Sequence, residues 1–318
     1  MHAVARAQPN FALIKYWGKR DPARNLPAVG SLSVTLADLY TEMSVEFDPR
    51  HSRDELVVNG ARDEVMLQRV SDCLSAVAGD GRASARVESR ANFPLSAGLA
   101  SSAAAFAALV VAADRAAGQQ RSTAQLASLA GRASGSAARS LYGGFVELGN
   151  DGDDIRVQSI LDAAAWPLAV VIAVTAPGPK PVGSGDAMEI SRRTSPFYSR
   201  WVDEQPNDLA VARSAVAARD FDELGAVAEH NCLKMHSVMW TSRPPIVYWN
   251  AATLACLERI RHLRARGTGV FFTIDAGPQV KAVCEPGAVE TVRASLADTP
   301  GVASVMSSGL GGGARLIS

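Results

Sequence analysis

Apolar and polar positions change period several times along the chain. Leu32-Ser33-Val34-Thr35-Leu36 alternates with period two, and Phe11 to Tyr16 is apolar around a single lysine. Thr41 to Phe47 and Glu55 to Val58 read as partners in one sheet, Asn59-Gly60 marks a tight turn, and Ala85 to Ser89 is a further strand. A helix is predicted over Asp63 to Val77. Ser122-Thr123-Ala124-Gln125 forms a capping box for another that runs to about Ala133, after which Gly143 to Glu147 returns as a strand. Leu168 to Val174 has the β-branched run of a core strand. Helices follow from about Phe197 to Glu204, Leu209 to Ala218, Phe221 to Met239 and Ala251 to Arg266, the last stopped by Gly267. Gly269 to Ile274 pairs with Val280 to Cys284, Gly287 to Leu296 is helical, and Val302 to Val305 is the last strand. Strands and helices mix in both halves without regular alternation, so the predicted class is α+β. The Pro177-Gly178-Pro179-Lys180-Pro181 turn divides the chain into units of residues 1–178 and 179–318.

Two stretches break the pattern with small residues. Asn92-Phe93-Pro94-Leu95-Ser96-Ala97-Gly98-Leu99-Ala100-Ser101-Ser102 leads straight into an alanine-rich run that contains no helix breaker. Unpaired N–H groups of a first helical turn, the positive end of the helix dipole and two hydroxyls then converge on one place, which suits a phosphate. Ser101 or Ser102 would equally serve as an ordinary cap of a core helix. Ser134-Gly135-Ser136-Ala137-Ala138-Arg139-Ser140 is a second such loop and carries an arginine, although a plain glycine-rich connection has the same composition.

Composition narrows the classes. The 318 residues exceed what one core usually holds, and 47% apolar against 20% charged residues is ordinary for a folded protein. Zero formal net charge, with basic and acidic residues interspersed, argues against nucleic acid or an anionic membrane as a partner. Cys73, Cys232, Cys256 and Cys284 form no CxxC pair, so neither a disulfide framework nor a zinc site is expected. The first residues lack the apolar core of a signal peptide and no run is long enough to span a membrane, which places the expectation in the cytoplasm. There is no GxxxxGK[ST] and no strand-linked GxGxxG.

Three charged residues stand in improbable places. Asp275 ends a very apolar strand, Lys15 lies within Ala12-Leu13-Ile14, and Arg139 sits in the second small-residue loop. If they converge, the carboxylate stays ionised and can accept a proton, while the arginine fixes an anionic substrate. A structural ion pair between domains would produce the same pattern. Lys19 and Arg20 beside Gly18 are either phosphate ligands or a solvated turn. His236 reads as a packing residue, and His2, His51, His230 and His262 have no partners at metal-ligand spacing, so no metal cluster is predicted.

Taken in order, Ile14-Lys15-Tyr16-Trp17-Gly18-Lys19-Arg20-Asp21, Ser31 to Leu36, Asn92 to Ala105, Ser134 to Gly144, Pro244-Pro245-Ile246 and Thr273-Ile274-Asp275-Ala276-Gly277-Pro278 resemble the diphosphomevalonate decarboxylase family. That family lies within the superfamily named for galactokinase, homoserine kinase, mevalonate kinase and phosphomevalonate kinase. The resemblance implies an N-terminal domain like the second domain of ribosomal protein S5 and a ferredoxin-like C-terminal domain, with the site between them. It implies ATP and Mg²⁺, a small-molecule substrate, and a reaction in which the 3-hydroxyl of mevalonate 5-diphosphate is phosphorylated, phosphate departs and carbon dioxide is lost to leave isopentenyl diphosphate. By the same resemblance Asp275 is the base, Lys15 assists and Arg139 binds substrate; Tyr16, Lys19, Ser134, Gly135 and Ser136 line the diphosphate pocket. Gly98, Leu99, Ala100, Ser101 and Ser102 meet the nucleotide phosphates, Ser89 lies near the adenine, and Ser195 belongs to a loop that closes over the site. A homodimer is compatible with the resemblance. Val29-Gly30, Ala138 and Gln279 depart from the family's usual residues, and close relatives decarboxylate the 5-monophosphate or stop at 3-phosphorylation. A nucleotide- or RNA-binding module without catalysis is the reading from another class, opposed by the neutral charge.

Overall fold

A computed structural model describes residues 1–94, 101–178 and 180–317. In chain order its elements are β1 (His2–Ala7), β2 (Asn10–Ile14), β3 (Lys19–Asp21), β4 (Leu26–Pro27), β5 (Ser31–Thr35), β6 (Thr41–Phe47), β7 (Glu55–Val58), β8 (Ala61–Arg62), α1 (Glu64–Ala78), β9 (Ala85–Ala91), α2 (Ser101–Ala116), α3 (Thr123–Ala133), β10 (Phe145–Asp151), β11 (Asp154–Leu161) and β12 (Ala169–Val174). They continue with α4 (Ser184–Thr194), α5 (Tyr198–Ala218), α6 (Phe221–Trp240), α7 (Ala251–Ala265), β13 (Val270–Ile274), β14 (Val280–Cys284), α8 (Val289–Ala297), β15 (Ser304–Gly309) and β16 (Arg315–Leu316). A 3₁₀ turn covers Ala137–Leu141.

Three sheets organise these elements. The first has the order β16-β1-β6-β9-β7-β8, the second β11-β10-β5-β2 and the third β13-β14-β12-β15; β3 and β4 form a separate ribbon. Alternation in β1 turns Ala3, Ala5 and Ala7 inward onto α2, which is buried nearly all round because its alanines let the sheet, α1 and α3 approach closely. The predicted capping box starts α3: the Ser122 hydroxyl accepts from Gln125 N, and Gln125 Oε1 accepts from Ser122 N at 2.9 Å. Strand β12 serves two cores through its period of two. Val170 and Ile172 pack with Leu32, Val34 and Phe145 of the second sheet and with α5 and α6, while Val171 and Ala173 face α7 and α8. The two halves therefore share one apolar core behind the cleft.

The α+β expectation holds, and several details change. Strand β9 lies between β6 and β7 and runs parallel to β7, so the two predicted partners share a sheet without touching. Strand β12 bonds to β14 and β15, so the sheet of the C-terminal half begins before the division drawn at 178/179. The two helices expected over 197–218 are one, α5, with Pro206 inside it. Gln205 and Asp208 on either side of the proline are buried in hydrogen bonds, which hold the helix through a break its own sequence signals. The polar segment 183–186 opens helix α4, and the last strands fall at β15 and β16 instead of 302–305.

Past β15 the chain crosses back to the N-terminal half. Leu310 bridges to Leu36, Gly311 N donates to Thr35 O at 2.8 Å, Gly144 N donates to Gly311 O at 2.9 Å, and β16 then pairs with β1. The approach is too close for side chains: a Cβ on Gly143 would stand 2.6 Å from Gly312 Cα, and one on Gly311 would stand 2.5 Å from Leu36 O.

Candidate active site

Between the two halves lies a cavity of about 720 Å³. Its walls are the chain after β2, the loop from α3 to the 3₁₀ turn, the start of α2, the start of α4 and the turn after β13. Strand β13 is wholly buried, so it delivers Asp275 rigidly to this turn. Lys15 Nζ stands 2.8 Å from Asp275 Oδ1, and Lys281 Nζ stands 3.1 Å from Oδ2. Burial works against the charged carboxylate, but the two ammonium groups outweigh it and hold Asp275 far below the usual carboxylate range.

Helices α5 and α6 hold Lys15 by its backbone, and α6 also holds Ile274, the residue before Asp275. Lys15 N donates to Asn231 Oδ1 at 2.7 Å, and Gln205 Nε2 donates to Lys15 O at 2.7 Å. Asn231 Nδ2 donates in turn to Gln205 Oε1 at 2.8 Å and Asp208 Oδ2 at 2.6 Å. One residue further along α6, Cys232 Sγ meets the N–H of Ile274 at 3.2 Å. These partners leave the Lys15 and Asp275 side chains little freedom of approach.

Arg139 is buried in the 3₁₀ turn and lines the same cavity. Its Nε donates to Asn10 Oδ1 at 3.0 Å and its Nη1 to Ser31 Oγ at 2.7 Å, while Asn10 Nδ2 donates to Ser140 Oγ at 2.8 Å. Both of these partners are neutral, so its charge is available to an anion; burial lowers its pKa to about 10. Tyr16 packs against Gly135, where a Cβ would come 2.7 Å from Tyr16 Cζ. Burial pushes the Tyr16 hydroxyl up to about 12, which keeps it a donor. Lys19, Ser134 and Ser136 complete this wall, and burial beside Arg69 lowers the Lys19 pKa.

Of the other sequence candidates, Ser101 and Ser102 line the cavity at the start of α2, and Gly98, Leu99 and Ala100 lie outside the described residues. Ser89 is buried in β9, opposite Met43 and Val58, and does not line the cavity. Ser195 is also absent from the lining: it caps the far end of α4 and its hydroxyl pairs with Thr241 Oγ1 at 2.8 Å. Ser184, roughly 16 Å away at the other end of that helix, faces the cavity instead. Lys180 Nζ donates to Ser184 Oγ at 2.5 Å and to Ala276 O at 2.8 Å, and burial lowers its pKa to about 8. Lys180, Ser184, Lys281, Asn10 and Ser31 are the residues that sequence reading passed over. A lone lysine among three prolines and a lysine within an apolar strand were the available signals. Gln279 fills its place by accepting from Thr175 N at 2.6 Å and donating to Ala176 O at 2.7 Å, which ties the turn after Asp275 to the end of β12.

His236 is the packing residue expected. It is buried with Nε2 3.3 Å from Ile274 O and its ring 4.7 Å from that of Trp249, and burial lowers its pKa to about 3. A histidine held neutral binds fewer protons folded than unfolded, so its contribution is present above pH ~6.5 and is lost as pH falls toward 3. Between pH 6.5 and 5 this amounts to about 2 kcal/mol. Urea unfolding at both pH values should show that loss in the parent and most of it removed in His236→Phe; equal losses in the two would refute the assignment. Among the described residues no cluster of His, Cys, Asp and Glu suits a metal ion, and no helix is long and apolar enough to cross a membrane.

Residues 7–160 match the family profile described as the diphosphomevalonate decarboxylase-like N-terminal domain, and residues 170–307 match the mevalonate 5-diphosphate decarboxylase C-terminal domain. The diphosphomevalonate decarboxylase of Eremothecium gossypii is 36% identical over 301 residues, covering 87% of this chain and 76% of the relative. The mevalonate diphosphate decarboxylase structure from Staphylococcus aureus superposes with a TM-score of 0.93 at 35% identity, covering 100% of this chain and 98% of that one. A structure of MDDEF in complex with MVAPP, AMPPCP and magnesium superposes with a TM-score of 0.92 at 35% identity, covering 100% and 99%. With both halves matched in order and the whole fold superposed, the chain belongs to the diphosphomevalonate decarboxylase family.

Proposed function

We propose that the chain catalyses ATP-dependent decarboxylation of mevalonate 5-diphosphate to isopentenyl diphosphate. The observation that carries this reading is one cavity in which an ionised carboxylate, Asp275, opens beside Arg139 and the serines at the start of α2. A relative's structure holds MVAPP, AMPPCP and magnesium, which supports both substrates and the ion. The donor set fits Mg·ATP: Ser101 and Ser102 offer hydroxyls at a helix N-terminus, Arg69 and Arg132 line the same cavity, and no carboxylate cage competes for the ion among the described residues. When bound, Mg·ATP supplies the phosphoryl group that makes the tertiary oxygen able to depart.

The chain's own residues do the rest. Asp275, ionised and held at both oxygens, accepts the proton of the 3-hydroxyl; Lys15 and Lys180 offer positive charge where phosphoryl oxygens collect. Arg139 orients the anionic substrate, and Tyr16, Lys19, Ser134 and Ser136 hold its diphosphate. The buried Asn231 and Gln205 contacts keep these groups in register while phosphate and carbon dioxide leave. Four buried free thiols are compatible with work in the reducing cytoplasm.

The pocket wall has more donors than one terminal phosphate needs, so the 5-diphosphate should be preferred to the 5-monophosphate. A charge-assisted contact made only to the second phosphate contributes roughly 1.5–3 kcal/mol, enough for at least a tenfold difference. The test is kcat/KM for carbon dioxide release, with ADP formation in parallel, using mevalonate, its 5-phosphate and its 5-diphosphate, repeated with Lys19→Ala. A better monophosphate, or an equal loss for all three in Lys19→Ala, would replace this reading with decarboxylation of the monophosphate; ADP without carbon dioxide would make the chain a kinase.

A further inference from the structure

Asp275 is surrounded by cations from four directions. Lys15, just after β2, and Lys281, from β14, pair with it; Lys180 from the segment before α4 and Arg139 from the 3₁₀ turn line the same cavity; Cys232 and His236 of α6 bond to Ile274 next to it. Lys15, Lys180 and Arg139 line the cavity, where bound anions can reach them. Lys281 does not. It is 3% exposed, the second residue of a strand paired on both sides, opposite Thr273 in β13 and Ile172 in β12.

Two phosphorylated substrates bring several negative charges to this cavity. Like charge beside a carboxylate favours its protonated form, and phosphate oxygens compete for the cations that line the cavity. A protonated Asp275 cannot accept the hydroxyl proton. We propose that Lys281 is a positioning residue: it is the fixed counter-charge that keeps Asp275 ionised and oriented when substrates share the cavity's other cations. This rests on the decarboxylase reading above. Lys281 lies outside the cavity lining and acts through Oδ2 of Asp275, leaving Oδ1 and its lysine on the cavity side.

The test compares the parent with Lys281→Met, which keeps most of the volume and removes the charge, and Lys281→Arg, which keeps the charge. Carbon dioxide release is followed from pH 5 to 9 at saturating and limiting substrate, with thermal unfolding of each variant. In Lys281→Met the pH below which kcat falls should rise by at least one unit, with KM for both substrates within about threefold of the parent, and Lys281→Arg should move that pH back toward the parent. An unchanged acid limb in an active Lys281→Met, or the same loss at every pH in both variants, would overturn the proposal and leave Lys281 a packing residue. ¹³C NMR titration of the Asp275 carboxyl in the free protein gives a readout without turnover: an upward shift in Lys281→Met supports the coupling, and no shift overturns it. A parent that folds and releases no carbon dioxide would overturn the proposal through the reaction it rests on, a result distinct from an unmoved limb in an active enzyme.

Discussion

Asp275→Asn should lower turnover by at least 10³-fold, about 4 kcal/mol in the barrier, while ATP affinity stays within a few-fold. The amide keeps the volume and loses the charge and the basicity. It also leaves Lys15 and Lys281 facing a neutral group, each having lost a partner at 2.8 and 3.1 Å. Breaking such a pair costs up to about 3 kcal/mol here, because the carboxylate is partly exposed at 27%. The variant should therefore be less stable as well as inactive. Raising the pH should restore part of that stability, since a buried lysine without a counter-ion gives up its proton more readily. Single-turnover measurements of carbon dioxide release, with urea unfolding at two pH values, check both halves; turnover within tenfold of the parent would remove Asp275 from the chemistry.

Arg139→Gln should behave differently, and the difference is diagnostic. Its guanidinium is hydrogen-bonded to Asn10 and Ser31, both neutral, so the substitution removes a buried charge without stranding an opposite one at hydrogen-bond distance. Stability should fall by no more than about 1 kcal/mol. kcat/KM for the mevalonate substrate should nevertheless drop by at least 100-fold, about 2.7 kcal/mol, as the charge that orients the anion is lost. If Arg139 were only a structural tie between segments, the order would reverse: a large loss in the unfolding midpoint and a modest one in kcat/KM. Calorimetric titration of the substrate without ATP separates lost binding from lost chemistry.

Much of the site was legible because its residues contradict their surroundings. Lys15 among apolar neighbours, Asp275 at the end of Val270–Ile274 and Arg139 among small residues each need a physical excuse, and they line one cavity. Lys281 carries the same signal inside Val280–Cys284. A strand recognised by its apolar pattern gives no indication of which residue across the sheet answers a charge within it. The distance of Ser195 from the cavity was not legible for a related reason. The Thr-Ser-Pro turn looks like a mobile loop, but without knowing that 184–194 is helical its distance from the cleft cannot be judged. In the fold, strongly periodic segments such as β6, β14 and α3 fell where expected. Strand β1 was missed because alanine carries its buried face, and Pro206 split a helix that only tertiary hydrogen bonds hold together.

The return of the chain to β1 affects the order in which the protein can be built. Leu316 pairs with Ala5, so β1 is an edge strand until β16 arrives. A ribosome adding about 5–20 residues per second needs roughly 15–60 s to make the intervening chain. During that time the first sheet can form around α1, α2 and α3, yet it keeps one unpaired edge and lacks the crossing glycine segment beside β5 and β10. The N-terminal half therefore cannot be completed until residues 310–316 have been made, and a nascent chain stalled before residue 310 should bind holdase chaperones more strongly than the released protein.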